Sequence, residues 1–205
     1  MIWWLKAKNA PAVAAATLAV YGAAVWLRQE AIPVPALVGA SGRLLITEIL
    51  GVVPVALLVH GIDRGDAFIE EVARRRAGLR NAALCLGFAA LTTVLGATAH
   101  LLWDRPEAVS LARNCLGFLG CALIVRTLLG PGIAMICVAA LPLACAAAGR
   151  RPGGSAAPWA WPVHDATSLL GIAEAACLFA AGCTLALCRN RPLLNPLAQG
   201  THGMR

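Results

Sequence analysis

Residues 61–80 read GIDRGDAFIEEVARRRAGLR, with five basic side chains (Arg64, Arg74, Arg75, Arg76, Arg80) and four acidic ones (Asp63, Asp66, Glu70, Glu71). On both sides the chain turns apolar for long enough to sit in lipid. A charged island between two such stretches marks one side of a membrane, because basic residues near span ends are retained in the cytoplasm.

Working outward, six stretches approach the roughly 20 apolar residues that a helix needs to cross a bilayer. They fall near 10–27, 44–60, 81–102, 111–129, 133–148 and 169–188. The fifth is short, follows Gly130-Pro131-Gly132 and contains Pro142, so spans four and five are also readable as a hairpin that does not fully cross. Over 205 residues, 60% hydrophobic and 13% charged with a net charge of +7, mean hydropathy is +0.75. Ordinary globular chains carry about 25% charged residues. The expectation is an all-α membrane protein forming one domain over residues 1–205, a bundle of about six transmembrane helices. Its basic residues flank apolar spans instead of gathering on a polar surface, which argues for lipid headgroups and against nucleic acid.

Lys6 and Lys8 precede the first apolar run as in a signal peptide, but a multi-spanning chain commonly uses its first span that way, and it is read as mature structure. Residues 1–5, with Trp3 and Trp4, read as an interfacial anchor. With the amino terminus inside, eleven Lys and Arg fall on the cytoplasmic side and six on the other. Both termini are therefore expected in the cytoplasm of a cell with this protein in its plasma membrane. Trp26, Trp103, Trp159 and Trp161 fall near outer span ends and read as an aromatic belt. The outer segments 30–43, 103–110 and 149–168 read as short or Pro/Gly-rich loops, the last lying in the interface with Asp165 or Thr167 capping the final helix.

The island reads as a short amphipathic cytoplasmic helix between spans two and three. Asp66 caps it, Glu70 and Glu71 favour its first half, Arg74, Arg75 and Arg76 suit its later turns, and Gly78 ends it. Phe68, Ile69 and Val72 form a small apolar stripe that fits a partner's groove. A plain solvated loop is the competing reading.

Other chemistry is sparse. Glu70-Glu71 with Arg75 matches the E-E-x-x-x-R pattern of intramembrane CAAX-type proteases, but of the histidines in or near spans, His60, His100 and His164, none stands four residues after a phenylalanine as that chemistry expects. There is no G-x-S-x-G, and Ser168 beside His164 and Asp165 reads as a helix cap. The only lysines, Lys6 and Lys8, precede every glycine, so no phosphate-cradling Gly-Lys-Ser/Thr exists. The eight cysteines lie in or at the ends of spans without C-x-x-C spacing and read as packing residues, not metal ligands. No catalytic, metal-binding or cofactor-binding set emerges. Glu48 and Glu174 are carboxylates inside spans, with Arg43 and Arg113 at similar depth, which points to a structural ion pair or polar contact, or to a proton-linked or substrate-contacting role. Gly117 and Gly120 suit close helix packing.

The second span running from Val52-Val53-Pro54 to His60 and into the island, with Ala112-Arg113-Asn114-Cys115-Leu116-Gly117 opening the fourth, Gly149-Arg150 closing the fifth and Trp159-Ala160-Trp161-Pro162 before the sixth, resembles the permeases of ABC type-2 exporters, especially short actinobacterial ones. The resemblance covers most of the chain. It implies six spans, cytoplasmic termini and a coupling helix after span two that docks on an ABC ATPase, with Asp66, Phe68, Ile69, Val72, Arg74, Arg75 and Arg76 as coupling residues. It further implies a second permease chain, ATP and Mg on the partner ATPase, and export of a small molecule, lipid-like compound or peptide. The chain itself is then not an enzyme. The alternatives are a non-transporting membrane accessory or immunity protein and, behind that, an intramembrane enzyme.

Overall fold

The computed structural model describes residues 8–27, 31–34, 42–64, 74–151 and 155–189. The elements are α1 (Ala10–Leu27), strands β1 (Ala31–Val34) and β2 (Gly42–Leu45), α2 (Ile46–Leu50), α3 (Val52–Asp63), α4 (Arg74–Trp103), α5 (Pro106–Leu129), α6 (Pro131–Ala148) and α7 (Leu169–Arg189), with a 3-10 turn at Trp161–Val163. Six helical stretches are long and apolar enough to cross a membrane: Ala10–Leu27, Ile46–Asp63, Gly78–Trp103, Pro106–Leu129, Pro131–Ala148 and Leu169–Cys188. They alternate in direction. One end of the bundle carries Lys8, Asp63, Arg80 and Arg126 (the island end); the other carries Trp26, Trp103 and segment 155–168.

Side chains such as Leu18, Leu86, Val94, Leu128, Ile136 and Leu185 point outward and are exposed. So much outward apolar surface suits lipid and would drive aggregation in water. The core centres on α5, which has 14 of its 24 residues buried and packs against every other described helix. Leu111, Cys115, Phe118, Leu119 and Ala122 from α5 meet Val55, Leu58 and Val59 from α3.

Because lipid supplies no hydrophobic drive between helices, their association rests on close packing by small residues. A Cβ on Gly120 would strike the backbone of Leu178, and one on Gly182 would lie 2.6 Å from the Gly120 carbonyl oxygen, so α5 and α7 touch backbone to backbone. The expected helix-packing role is met by Gly120, whereas Gly117 faces the Trp161 ring instead. Hydroxyls in this apolar setting also need partners. Tyr21 of α1 donates to the Thr92 carbonyl of α4 (2.8 Å), and Thr92 turns back to Phe88 and Ala89 in its own helix.

Several sequence expectations shift. Segment 30–43 contributes to an antiparallel hairpin, pairing Ala31 with Leu45 through Val34 with Gly42, which adds a small sheet beside the helical bundle. Span two keeps its course, but its helical hydrogen bonding lapses at Gly51, three residues ahead of Pro54, while the Gly51 backbone itself stays helical (φ −60°, ψ −21°). Proline lacks the N–H that would bond the Leu50 carbonyl, and its ring crowds that carbonyl. Gly78 does not end a helix: α4 runs unbroken from Arg74, so the last arginines of the island begin the third span's helix. The Ala, Leu and Arg flanking Gly78 favour the helix enough to outweigh a glycine's cost of about 1 kcal/mol. α6 is continuous over 18 residues despite Pro142, about 27 Å long and close to the hydrocarbon thickness. Between α5 and α6 only Gly130 turns the chain, at φ 96°, a conformation that favours glycine. The expected island residues Asp66, Phe68, Ile69 and Val72, and the anchor at 1–5, lie outside the described residues.

Replacing Gly120 by Val should lower stability by about 1–3 kcal/mol, the usual cost of overpacking, read as a fall in thermal midpoint in detergent. Gly22→Ala, where an added Cβ meets nothing within 4 Å, should cause no fall.

Candidate functional site

Two polar sites stand in this apolar body, one at each end of α5. The first is built on Arg113, which is buried at 3% exposure. An isolated cation at such depth is costly, and partners must offset it. Its Nη1 donates to the Asp165 carbonyl (2.7 Å) and its Nη2 to the carbonyls of His164 (2.9 Å) and Pro162 (3.3 Å). Nε donates to Asn114 Oδ1 (3.3 Å), and Asn114 Nδ2 in turn reaches the Pro162 carbonyl (3.4 Å). The planar guanidinium thus satisfies three carbonyls of one irregular segment, a task its fork of fixed donors suits better than an ammonium.

That segment folds inward. Trp161 is buried, against the expectation that it joins an aromatic belt; Trp26, Trp103 and Trp159 are exposed. Its ring packs on Phe118 with centroids 5.1 Å apart and lies over Gly117, where a Cβ would come within 2.5 Å of it. The missing side chain at Gly117 makes the slot.

The acids expected inside the spans converge here. Glu48 of α2 is buried at 4% exposure, and its charge, with those of Asp165 and Glu174, acts on the Arg113 guanidinium. Gly171, one turn before Glu174 on α7, gives that guanidinium room: an added Cβ would stand 3.1 Å from Nη1. Among the described residues, Thr47 Oγ1 and Glu174 Oε2 are buried polar atoms without a hydrogen-bond partner.

The neighbouring Ser168–His164 pair is a cap, as the sequence suggested, but Ser168 caps α7 where Asp165 or Thr167 was expected. Ser168 Oγ accepts the Gly171 N–H (3.4 Å). His164 Nε2 lies 3.0 Å from the Ala157 carbonyl, which only accepts, so Nε2 carries the proton and Nδ1 accepts from the Ser168 hydroxyl (3.3 Å). With its hydroxyl proton directed to His164 and its oxygen engaged by the backbone, Ser168 holds the segment in place.

The second site lies at the island end. Arg126 Nε donates to Asp63 Oδ1 (2.6 Å), with Nη2 at 2.5 Å from the same oxygen, joining the last turn of α5 to the last residue of α3. Lys8 Nζ donates to the Ile62 carbonyl (2.8 Å), and Gly61 lets the Lys8 carbonyl approach. Beside the pair is a cavity of about 280 Å³ whose lining includes Asn81, Cys85, Thr127 and Cys183. No motif announces the Asp63–Arg126 pair, since its members stand 63 residues apart. Arg74, Arg75 and Arg76 open α4. The eight cysteines are unpaired; Cys85, Cys115 and Cys145 are buried packing residues, whereas Cys137, Cys177 and Cys188 face outward. Among the described residues no group of three or more His, Cys, Asp or Glu could hold a metal ion.

These features define a multi-pass membrane protein of helical-bundle class, with a buried arginine site toward one end of a central helix and a half-buried ion pair at the other. No protein-family model matches the chain, and no curated protein or solved structure does.

Arg113→Met should leave the His164 carbonyl without its donor, at about 1–3 kcal/mol if it stays buried, while the Pro162 carbonyl keeps Asn114 Nδ2 and the Asp165 carbonyl keeps the Ser168 amide. Hydrogen exchange at the Val163 and Ser168 amides should quicken by about tenfold or more, with Arg113→Lys intermediate.

Proposed function

We propose that the chain is the permease subunit of an ABC-type exporter, spanning the plasma membrane with both termini cytoplasmic and driven by a separate ATPase that docks on residues 65–80. A second permease chain completes the translocation path, and ATP and Mg belong to the ATPase. The observation that carries this reading is the placement of α5. It packs against every other described helix, and at one end its Arg126 grips Asp63, the last residue of α3 and one of the island's acids. Movement of the island would therefore load the central helix directly. At the other end Arg113 holds the segment leading into α7.

Buried charge inside the spans supports the same reading. Glu48 of span two and Arg113 of α5 are both buried, and ionisable groups within spans are costly and often mark substrate or ion paths. Transported compounds in this reading are small molecules, lipid-like compounds or peptides.

The experiment is purification of the intact chain from native membranes under mild detergent, assayed for a bound ATP-hydrolysing subunit. Phe68→Asp should insert normally and lose that subunit together with its stimulated hydrolysis. Asp63→Arg should keep the subunit bound but uncouple it, and Asp63→Arg with Arg126→Asp should restore coupling. If no ATP-hydrolysing subunit accompanies the unaltered chain, the accessory or immunity reading replaces this one.

A further inference from the structure

A groove of about 480 Å³ runs between α1 and α4 on the outside of the bundle. Its character is uneven along its length. Small residues, Ala14 of α1 and Ala83 and Gly87 of α4, set its depth, with Leu58 and Phe88 beside them and Leu91 at the inner limit. At the opposite limit stands Arg80, exposed and close to the island end. The Arg80-to-Leu91 stretch of helix rises about 16 Å at 1.5 Å per residue. That length matches one leaflet, half of a hydrocarbon core about 30 Å thick.

We infer that this groove binds an anionic phospholipid, with one acyl chain along Ala14, Gly87 and Phe88 and the phosphate at Arg80. Three observations converge on that occupant. The groove is apolar over a leaflet's length, the one charged residue among its described lining is a cation, and that cation lies where the helix leaves the hydrocarbon. A phosphodiester accepts charge-assisted hydrogen bonds from a guanidinium, whereas a partner's apolar helix would have no use for a cation at that depth. Basic pockets between spans hold anionic headgroups in this way. The missing side chain at Gly87 is what leaves room, for a Cβ there meets nothing within 4 Å.

The test uses the full-length chain, stripped of lipid in detergent and titrated with phosphatidylglycerol or with phosphatidylcholine of the same acyl chains, occupancy being read by native mass spectrometry. The unaltered chain should hold phosphatidylglycerol about fivefold more tightly, the gain expected from one basic residue near a headgroup. Arg80→Gln should erase that preference while leaving phosphatidylcholine binding unchanged. Gly87→Leu, whose side chain enters the groove, should weaken both lipids by about tenfold, as expected for a blocked apolar site. Equal binding of the two lipids by the unaltered chain overturns the inference. So does a preference that survives in Arg80→Gln, a reading that stands even if Gly87→Leu fails to fold. A dimer that forms in place of the lipid complex and is broken by Gly87→Leu would assign the groove to a second copy and likewise overturn it.

Discussion

The contact on which the bundle depends is the one between α5 and α7, where Gly120 and Gly182 leave no side chain between two backbones. In lipid a leucine gains little by leaving the tails for another helix, so dispersion across a close, complementary surface must do most of the holding. Once α7 is drawn that near, Gly171 comes against Arg113. The chain entering α7 must then pass over α5, where Gly117 opens the slot that Trp161 fills. Larger residues at these glycines would separate the helices and leave the arginine short of its carbonyls.

Arg113 answers a second constraint. The segment before α7 is irregular, and its carbonyls have no helical partners inside the bundle. Each would cost several kcal/mol if left bare in hydrocarbon. A guanidinium offers five donors in one plane, and here three of the carbonyls it satisfies belong to Pro162, His164 and Asp165. The arginine and the segment make each other's burial tolerable. Glu48 and Glu174 add charge compensation to an interaction whose directional part is made with the main chain.

The spans were legible because each is an apolar run of sufficient length, and their count and order agree with the helices found. Boundaries were less so: α5, the fourth spanning helix, begins at Pro106, before the run at 111, because polar Glu107 and Ser110 are buried by neighbours that composition does not disclose. Trp161 looked like a belt residue since span ends commonly carry tryptophan; only the slot over Gly117 draws it inward. The hairpin at 31–34 and 42–45 was hidden by prolines and glycines that read as loop. Of the candidate residues, Glu48, Arg113 and Glu174 were identifiable because charge inside a span is costly. The Asp63–Arg126 pair was not, because ordinary loop and span-end charges acquire a relationship only through folding.

The geometry of α5 bears on how load would pass between its ends. Arg113 and Arg126 are separated by about 20 Å along the axis and by about 220° around it, so they address nearly opposite faces. Glycines between them would ordinarily weaken a helix as a lever, by about 1 kcal/mol each relative to alanine. Here Gly117 is covered by the Trp161 ring and Gly120 by the backbone of α7, so the weakest part of the rod is also its most tightly held. A helix gripped at its middle and anchored on opposite faces toward its two ends would, in the proposed cycle, respond to a pull on Asp63 by rocking. Rocking of this kind moves the Arg113 end the other way, carrying with it the segment that leads into α7. Within the proposed transport cycle, closure at the island end would thus be opposed in sense to movement at the far end, which is the relation that alternating access requires.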